Sequence, residues 1–315
     1  MVKVSIIVPI YNGIRYLPDF IKAIDNIDFD DCEIIFAVDQ RSSDGSVEAV
    51  FKIIDANPQM RVVVQTEKTG SGGARNLGLD IAVGKYIGFF DVDDIPLPNY
   101  IHDLVGILDD TNSDVVFCNY SEEQIINCGP ESKLTLLTPG KAILSVTAGD
   151  MPGMPWGSMW RSDVIGNKRF IIGSTAEDTD FIIRCLTNTE KIAFYDCPLY
   201  IYNTRDMSGD PRQNCLARAE KYYDLIDYLE ETMPEIANEY SEKALMVQLR
   251  WGAKRGGKEF VDMMNSDLLQ KWKDRCKNPI YEFRIAQNLP KIYCALGKIV
   301  ADINSRLGLR MGKVG

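Results

Sequence analysis

The chain has 315 residues, of which 45% are hydrophobic and 25% charged, as expected for a globular protein with one large domain and an extension, or with two domains. The net charge of −10 argues against general nucleic-acid binding, because a phosphate backbone attracts basic proteins. We see no signal peptide and no run long and apolar enough to span a membrane. The eight cysteines form no CxxC pair, which argues against a zinc knuckle or a disulfide framework. Cys118 and Cys185 lie in apolar runs, and we expect them to be reduced core thiols in a cytoplasmic protein.

Strand and helix patterns alternate through the first 118 residues. Short apolar runs predict strands at residues 4–9, 33–38, 61–65, 86–90 and 114–118. Apolar residues at helical spacing predict helices around residues 17–24, 47–54 and 74–82. This alternation predicts an α/β fold with a Rossmann-like, mainly parallel central sheet flanked by helices.

The remainder of the chain has a different pattern. Residues 119–175 are less regular, a helix is predicted over residues 176–186, and helical patterns dominate from about residue 213. We therefore expect a first domain over residues 1–212, with halves 1–118 and 119–212. A helical C-terminal region over residues 213–315 follows it.

Three carboxylates follow the strand at residues 86–90 within four positions: Asp91, Asp93 and Asp94. Strand alternation directs Asp91 and Asp93 to the same side. Acids this close repel each other unless a cation lies between them, and hard divalent cations prefer oxygen ligands, which they often share with substrate phosphates. The motif predicts a metal–diphosphate site at the carboxyl end of a central strand. A helix N-cap and turn is the alternative.

Five segments, in their order and spacing, resemble the inverting family 2 glycosyltransferases with a GT-A fold, over about residues 3–205. They are Val8–Asn12, Val38–Ser46, Gly72–Asn76, Tyr86–Asp94 and Ala176–Phe181. The resemblance implies a GT-A catalytic domain over residues 1–212, with a nucleotide-binding half and an acceptor half. It also implies transfer of a hexose or N-acetylhexosamine from a UDP-sugar to a saccharide or lipid-linked glycan acceptor in cell-surface polysaccharide or glycoconjugate synthesis.

The resemblance places the donor nucleotide at the ends of the first strands. Pro9 and Tyr11 belong to the opening strand and loop, and the Tyr11 ring can lie on uracil. Asp39 can accept a hydrogen bond from the uracil imide N–H, and Asp91 contacts the ribose or uridine. Arg75 is expected in the first turn of a glycine-preceded helix, where the helix N-terminus and the guanidinium favour an anion. An exposed tyrosine, a turn-forming aspartate and a simple glycine turn are the alternatives.

Metal coordination by Asp93, together with Asp91, is expected for Mn²⁺ or Mg²⁺. The chain's one histidine, His102, is expected to be structural. The chain departs from the family pattern at Gln40 and Arg41, where an acid and a glycine are more usual. Arg41 either approaches the nucleotide or faces solvent.

The acceptor side is expected after residue 119. Asp178 is the candidate general base that inversion requires, and Glu177 positions the acceptor or Asp178. Two acids placed favourably in the first turn of a helix are the alternative. Trp156 either stacks on an acceptor sugar or is a core tryptophan, and Arg205 is a candidate clamp over the diphosphate.

The C-terminal region has the opposite charge from the rest of the chain. From Lys271 onward ten Lys or Arg residues stand against three acids, so this tail carries +7 and residues 1–270 carry −17. Residues 280–310 mix apolar and cationic side chains. A basic amphipathic helix can lie in a membrane interface, so one hypothesis is peripheral binding to the anionic inner face of the cell membrane. Packing on the protein or on a partner subunit is the alternative.

Three other functions fit parts of this pattern. A polyprenyl-phosphate glycosyl synthase would use the same donor site, and the basic tail suits it equally. A nucleotidyltransferase is disfavoured because its long glycine- and arginine-rich loop is missing. A non-catalytic nucleotide-sugar-binding or scaffold protein is disfavoured because the metal acids and the base are present.

Overall fold

The computed structural model describes residues 2–27, 31–57, 59–122, 132–173, 175–203, 214–255, 257–277 and 281–306. Within these residues the chain is an α/β protein with a nine-stranded sheet, which confirms the predicted fold class. The strands are β1 Val4–Ile10, β2 Cys32–Asp39, β3 Met60–Gln65, β4 Tyr86–Phe89, β5 Ile95–Pro96, β6 Val115–Ser121, β7 Leu134–Leu137, β8 Ser158–Arg161 and β9 Ile192–Ile201.

The sheet order is β3-β2-β1-β4-β8-β6-β9-β5, with β7 also paired to β9. The pairs β3–β2, β2–β1, β1–β4 and β6–β9 are parallel. The pairs that involve β8, β5 or β7 are antiparallel. The parallel character predicted from the alternation of strands and helices therefore describes the first four strands of the sheet. The sheet as a whole is mixed, because later segments return to it in the opposite direction.

The helices predicted in the first half are present, and the described part of the chain from residue 214 onward is helical. The helices of the described residues are α1 Leu17–Asp25, α2 Ser46–Ala56, α3 Gly70–Ile81, α4 Tyr100–Thr111, α5 Pro139–Ala148, α6 Ser162–Ile165, α7 Glu177–Leu186, α8 Cys215–Thr232, α9 Pro234–Arg255, α10 Gly257–Met264, α11 Asp267–Arg275, α12 Tyr281–Asn288 and α13 Pro290–Arg306.

Helix α3 begins at Gly70, four residues before the predicted start. Its glycines form the first turn, so Arg75 lies in the second turn and the expected first-turn position was wrong. Glycine has a low helix propensity, which is why the pattern suggested a turn. Close packing explains a further glycine of this helix, since a Cβ at Gly78 would lie 2.4 Å from Cγ2 of Ile7 in β1.

The described chain forms two compact units. The first comprises Met1–Pro139, Met151–Gly173 and Phe181–Asp206, and it contains the sheet. The second comprises Gly140–Asp150, Ser174–Asp180 and Met207–Gly315, and its described elements are helical. The units interleave along the chain, and the single boundary expected at residue 212 stays a prediction.

Apolar burial on both sides of the central strands holds the first unit together. Strands β1 and β2 are buried almost throughout, as expected for central parallel strands covered on both faces. Phe20 from α1 makes edge-to-face contacts with Phe36 and Phe90, with ring centroids 6.4 Å apart in each pair.

Cys118 in β6 is a buried thiol, and burial raises its pKa to about 12. Cys197 in β9 is disulfide-bonded, a bond that the spacing of the cysteines did not indicate.

The second unit has its own core. Trp272 of α11 is fully buried, and its indole N–H lies 3.1 Å from both the carbonyl oxygen and the hydroxyl oxygen of Ser241 in α9. Arg275 forms ion pairs with Asp227 at 2.7 Å and Glu230 at 2.6 Å, both on α8. These contacts join α11 to the long helix pair α8 and α9.

A buried carboxylate ties the amino-terminal ends of the first strands together. Glu33 at the start of β2 accepts hydrogen bonds from the Ser5 hydroxyl, from Arg61 at 2.8 Å and from the backbone N–H of Val83 at 3.0 Å. Burial alone would raise the pKa of Glu33, but these hydrogen bonds and the Arg61 charge lower it overall. One side chain thus links β1, β2, β3 and the turn before β4.

We expect the Glu33→Gln substitution to lower the free energy of unfolding by about 1–3 kcal/mol at pH 7, because it removes charge-assisted hydrogen bonds from a buried site. The lowered pKa means that the carboxylate contributes stability above its unfolded pKa of about 4.3 and loses that contribution as pH falls through the folded value. Urea unfolding of both proteins at decreasing pH should therefore show the difference shrinking. Glu48→Gln, on an exposed position of α2, is the control, and an equal loss in both variants would contradict this role.

Candidate active site

The parallel strands end together at one edge of the sheet. Ile10 of β1 pairs with Val38 of β2, and Ile7 of β1 pairs with Phe89 of β4. The residues just beyond these pairs therefore share the carboxyl edge, where open α/β sheets bind ligands. Those residues include the predicted nucleotide contacts Tyr11, Asp39 and Asp91.

The loops that follow β1 and β2 are hydrogen-bonded to each other. The Asn12 N–H donates to the Ser42 hydroxyl at 3.1 Å, and the Asn12 side-chain oxygen accepts from the Ser43 N–H at 2.8 Å. The Ile14 N–H donates to the Asp44 carboxylate at 3.0 Å. Asn12 has a φ of 49°, a left-handed conformation that asparagine tolerates. The two loops thus form one hydrogen-bonded surface at the carboxyl edge of the sheet. On it Tyr11 is 62% exposed, while Pro9 within β1 is half-buried.

Asp39 is buried and heavily hydrogen-bonded. Its Oδ1 accepts from the backbone N–H of Arg41 at 2.9 Å and from Nε of Arg41 at 2.8 Å. Its Oδ2 accepts from Nη2 of Arg41 and, at 3.0 Å, from the Gln65 amide. Burial alone would raise the pKa of Asp39, but the Arg41 and Gln65 contacts lower it overall. Arg41 thus contacts the carboxylate expected to meet the base.

Arg75 and Asp91 form an ion pair with a distance of 2.8 Å between Nη2 and Oδ1. The Arg75 side chain is buried, and its guanidinium also lies 5.4 Å from the ring centroid of Phe170. The backbone N–H of Asp91 donates to the Tyr200 hydroxyl at 3.0 Å. Arg75 therefore reaches the acidic motif, although it sits one turn further into α3 than expected.

Asp93 and Asp94 are both buried. The backbone N–H of Asp94 donates to the carbonyl of Asp91 at 3.1 Å, which forms a turn, and its side chain accepts from the backbone N–H of Asn203 at 2.8 Å. Burial, together with the neighbouring charges of Asp91 and Asp93, raises the pKa of Asp94 to about 8. The motif is thus a set of crowded acids at the end of β4, as its sequence predicted.

The donor set suits a metal shared with a substrate. Among the described residues, no three His, Cys, Asp or Glu side chains are arranged to hold a metal ion by themselves. Mg²⁺ and similar ions are commonly held by one or two carboxylates plus substrate phosphates, so a complete protein cage is not required. The like charges that raise the pKa of Asp94 are repulsions that a bound cation would offset.

Two residues at this site carried no sequence signal. Tyr200 contacts Asp91, and Asn203 contacts Asp94, each across 109 positions of the chain. Tyr200 is fully buried, and burial raises its pKa well above the usual value. Nothing local to residues 200–203 marks them, because only the pairing of β5 with β9 brings them to the acidic motif.

Trp156 lies in the core of the first unit. It is 2% exposed, and its ring stacks on Tyr200 with centroids 4.7 Å apart and on Tyr202 with centroids 5.4 Å apart. This position agrees with the core-tryptophan alternative. The acceptor contact stays a prediction.

Glu177 and Asp178 belong to the second unit. They open α7 and are both partly exposed, and acids in a first helical turn are favoured by the helix dipole. The next residue, Thr179, lies 3.2 Å from the Tyr222 hydroxyl of α8, measured between hydroxyl oxygens. Arg205 lies outside the described residues.

The carboxyl edge of the sheet carries an exposed aromatic ring, a buried arginine and clustered acids. This arrangement suits a nucleotide diphosphate held together with a divalent cation. Residues 5–127 match the model of glycosyl transferase family 2. This match lies within the first half of the chain and agrees with the resemblance that the motifs indicated, and the fold is GT-A.

Known proteins with related sequences support this assignment. Glycosyltransferase GlyG of Streptococcus pneumoniae is 28% identical over 218 residues, which cover 65% of this chain and 72% of GlyG. The GalNAc(5)-diNAcBac-PP-undecaprenol beta-1,3-glucosyltransferase of Campylobacter jejuni is 39% identical over 95 residues, or 30% of each protein. The second match spans less than a third of that relative.

The fold is shared with a solved structure. A Staphylococcus aureus TarS fragment in complex with UDP-GlcNAc superposes with a TM-score of 0.71, covering 98% of this chain and 92% of the fragment at 18% identity. Because the two sequences are only 18% identical, this superposition supports the GT-A fold alone.

We expect Trp156→Ala to lower the free energy of unfolding by about 3–5 kcal/mol, because the substitution empties a packed aromatic cluster. Thermal or urea unfolding measures the loss, and Phe51→Ala, at a 41% exposed position of α2, should lose far less. Unchanged stability combined with a raised acceptor KM would contradict the core role and favour the acceptor contact.

Proposed function

We propose that the protein is an inverting glycosyltransferase that moves a hexose or N-acetylhexosamine from a UDP-sugar to a saccharide or lipid-linked glycan acceptor in cell-surface polysaccharide or glycoconjugate synthesis. The observation that carries this proposal is the ion pair of Arg75 with Asp91 beside buried Asp93, at the carboxyl edge shared with Tyr11. A UDP-GlcNAc complex of TarS and the undecaprenol-linked substrate named for the Campylobacter relative support the donor and acceptor classes.

On the donor side, Tyr11 offers its exposed ring to the base, and Asp91 offers hydrogen-bonding oxygens to the ribose. Arg75 holds Asp91 in place and adds positive charge near the diphosphate. Pro9 shapes the start of the loop that carries Tyr11. The role of Arg205 as a clamp over the diphosphate is part of the same proposal.

Asp93, with Asp91, would hold Mn²⁺ or Mg²⁺. Such an ion, when bound, neutralises the diphosphate leaving group. Asp94 positions the turn through its contact with the Asn203 N–H, 2.8 Å long. Asp93 is buried, so it would meet the ion with little competing water.

Asp178 would take the proton from the acceptor hydroxyl as that oxygen attacks the anomeric carbon, and Glu177 would orient the acceptor. A carboxylate is a sufficient base here because the proton is removed as the new bond forms. Direct displacement would convert an α-linked donor into a β-linked product. Trp156 is retained as a candidate acceptor contact.

Titration calorimetry of UDP with Mn²⁺, and then with EDTA, tests the donor site. We expect metal-dependent binding that Asp93→Ala abolishes, because the metal links the diphosphate to the protein.

We expect Asp178→Asn to keep UDP binding but to lose turnover by about a hundredfold or more, because only the base is removed. Product NMR should show a β-linkage.

Failure of the folded wild-type protein to bind UDP, GDP or dTDP would overturn the transferase proposal at this site. Loss of UDP binding in Asp178→Asn would remove Asp178 from the role of base. A polyprenyl-phosphate product, in place of an extended glycan, would assign the rival synthase activity to the same donor site.

We propose further that α12 and α13 place the enzyme on the inner face of the cell membrane, in the cytoplasm. An apolar row along these helices is exposed: Ile285, Leu289, Ile292, Leu296 and Ile299 are 46–55% accessible. Within the part of the chain that the structure describes, no helix could cross a bilayer. Binding would therefore occur at the interface, where cationic residues of the tail add attraction to anionic lipid.

The row is continuous because helical hydrogen bonding runs through the joint between α12 and α13. The Leu289 N–H donates to the carbonyl of Ile285, and the Tyr293 N–H donates to the carbonyl of Leu289, each at 2.9 Å. The opposite side of α12 is buried through Phe283 and Ala286. Removing the whole tail would therefore expose core residues, and point substitutions test the membrane proposal more cleanly.

We expect Ile292→Gln with Leu296→Gln to reduce co-flotation with liposomes containing anionic lipid, because each substitution removes apolar area that would enter the interface. The variant should unfold at the same temperature as the wild-type protein, since both side chains are exposed. Leu136→Gln in β7, 50% exposed in the first unit, is the matched control. Equal flotation of all three proteins, or flotation independent of lipid charge, contradicts the membrane role.

A further inference from the structure

The hydrogen-bonding capacity of Asp39 is fully used inside the protein. An ionised carboxylate offers about four lone-pair sites, two on each oxygen. Arg41 donates to Oδ1 through its backbone N–H and Nε, and to Oδ2 through Nη2, while Gln65 fills the remaining place on Oδ2 at 3.0 Å. In this arrangement Asp39 has no site left for the imide N–H of a base.

Arg41 has the opposite property, an excess of donors. A guanidinium carries five N–H groups, and Arg41 directs one from Nε and one from Nη2 to Asp39. Its Nη1 makes no hydrogen bond with any residue that the structure describes. The side chain is 34% accessible, and its loop is hydrogen-bonded to the loop that carries Tyr11 through Asn12 and Ser42. Donors therefore remain beside the aromatic ring offered to the base.

We propose that Arg41 reads the nucleobase, with Asp39 as the residue that positions it. The inference rests on the proposed UDP-sugar donor and deepens it. The guanidinium, held by Asp39, donates to the O4 carbonyl of a uracil stacked on Tyr11. Asp39 neutralises the cation, so a neutral pair meets a neutral base and the carboxylate keeps its internal hydrogen bonds.

This arrangement selects against cytosine. Uracil, like thymine, presents a carbonyl acceptor at position 4, where cytosine presents an amino donor. A guanidinium facing that position would gain a hydrogen bond with uracil and would oppose two donors with cytosine. A carboxylate facing the imide N–H would also prefer uracil, but its preference would not need Arg41.

Calorimetric titration of UDP and CDP, in the presence of Mn²⁺, into the wild-type protein and Arg41→Gln distinguishes these two arrangements. We expect Arg41→Gln to weaken UDP binding by about tenfold or more and to narrow the UDP-to-CDP preference, because a charged donor to the base is lost. Arg15→Gln is the control, since Arg15 is an exposed arginine in the loop after β1 that contacts the Tyr16 hydroxyl.

Arg41→Lys keeps a cation beside buried Asp39 and covers the case in which the glutamine variant does not fold. A lysine lacks the fork that reaches Asp39 and the base together, so we expect it also to weaken UDP binding and narrow the preference. Unchanged or tighter UDP binding with the preference intact, in either folded variant, overturns the proposal and returns base reading to Asp39. Absence of nucleotide binding in the wild-type protein overturns the donor proposal itself, and this inference with it.

Discussion

Repulsion between carboxylates at the carboxyl edge of the sheet is the constraint on which the arrangement of this site depends. Asp39 and Asp94 are buried there, and each is accommodated differently. Arg41 neutralises Asp39 and Arg75 neutralises Asp91, whereas burial and neighbouring charge raise the pKa of Asp94 to about 8. Isolated buried charges are costly, so each of these acids requires a partner or a proton.

Hydrogen bonds between neighbouring elements also preform the site. The loops after β1 and β2 are joined through Asn12 and Ser42, and Tyr200 supports the backbone of Asp91 from β9. A preorganised site loses less conformational entropy on binding, which benefits both affinity and catalysis. Arg41, which would touch the base, is thus held by Asp39, and the backbone of Asp91 is held by Tyr200.

The second unit combines a well-packed interior with an unusual surface. Trp272 and the ion pairs of Arg275 anchor α11 on the α8–α9 pair. Beyond them, α12 and α13 expose an apolar row in the most basic part of an acidic chain. Burial of one side of α12 fixes which residues are left on the other. The charge asymmetry and the exposed row are therefore two properties of the same helices.

Local sequence determined the first strands and helices and the acidic motif, because hydrophobic periodicity and strand-end position act over a few residues. It also identified Arg75 as a neighbour of that motif, although the glycines of α3 obscured where the helix starts. Tertiary structure alone decided the antiparallel return of β8, the burial of Trp156 and the support of Asp91 and Asp94 from β9. Those contacts join residues far apart in the chain, so their energies depend on packing that no local pattern records.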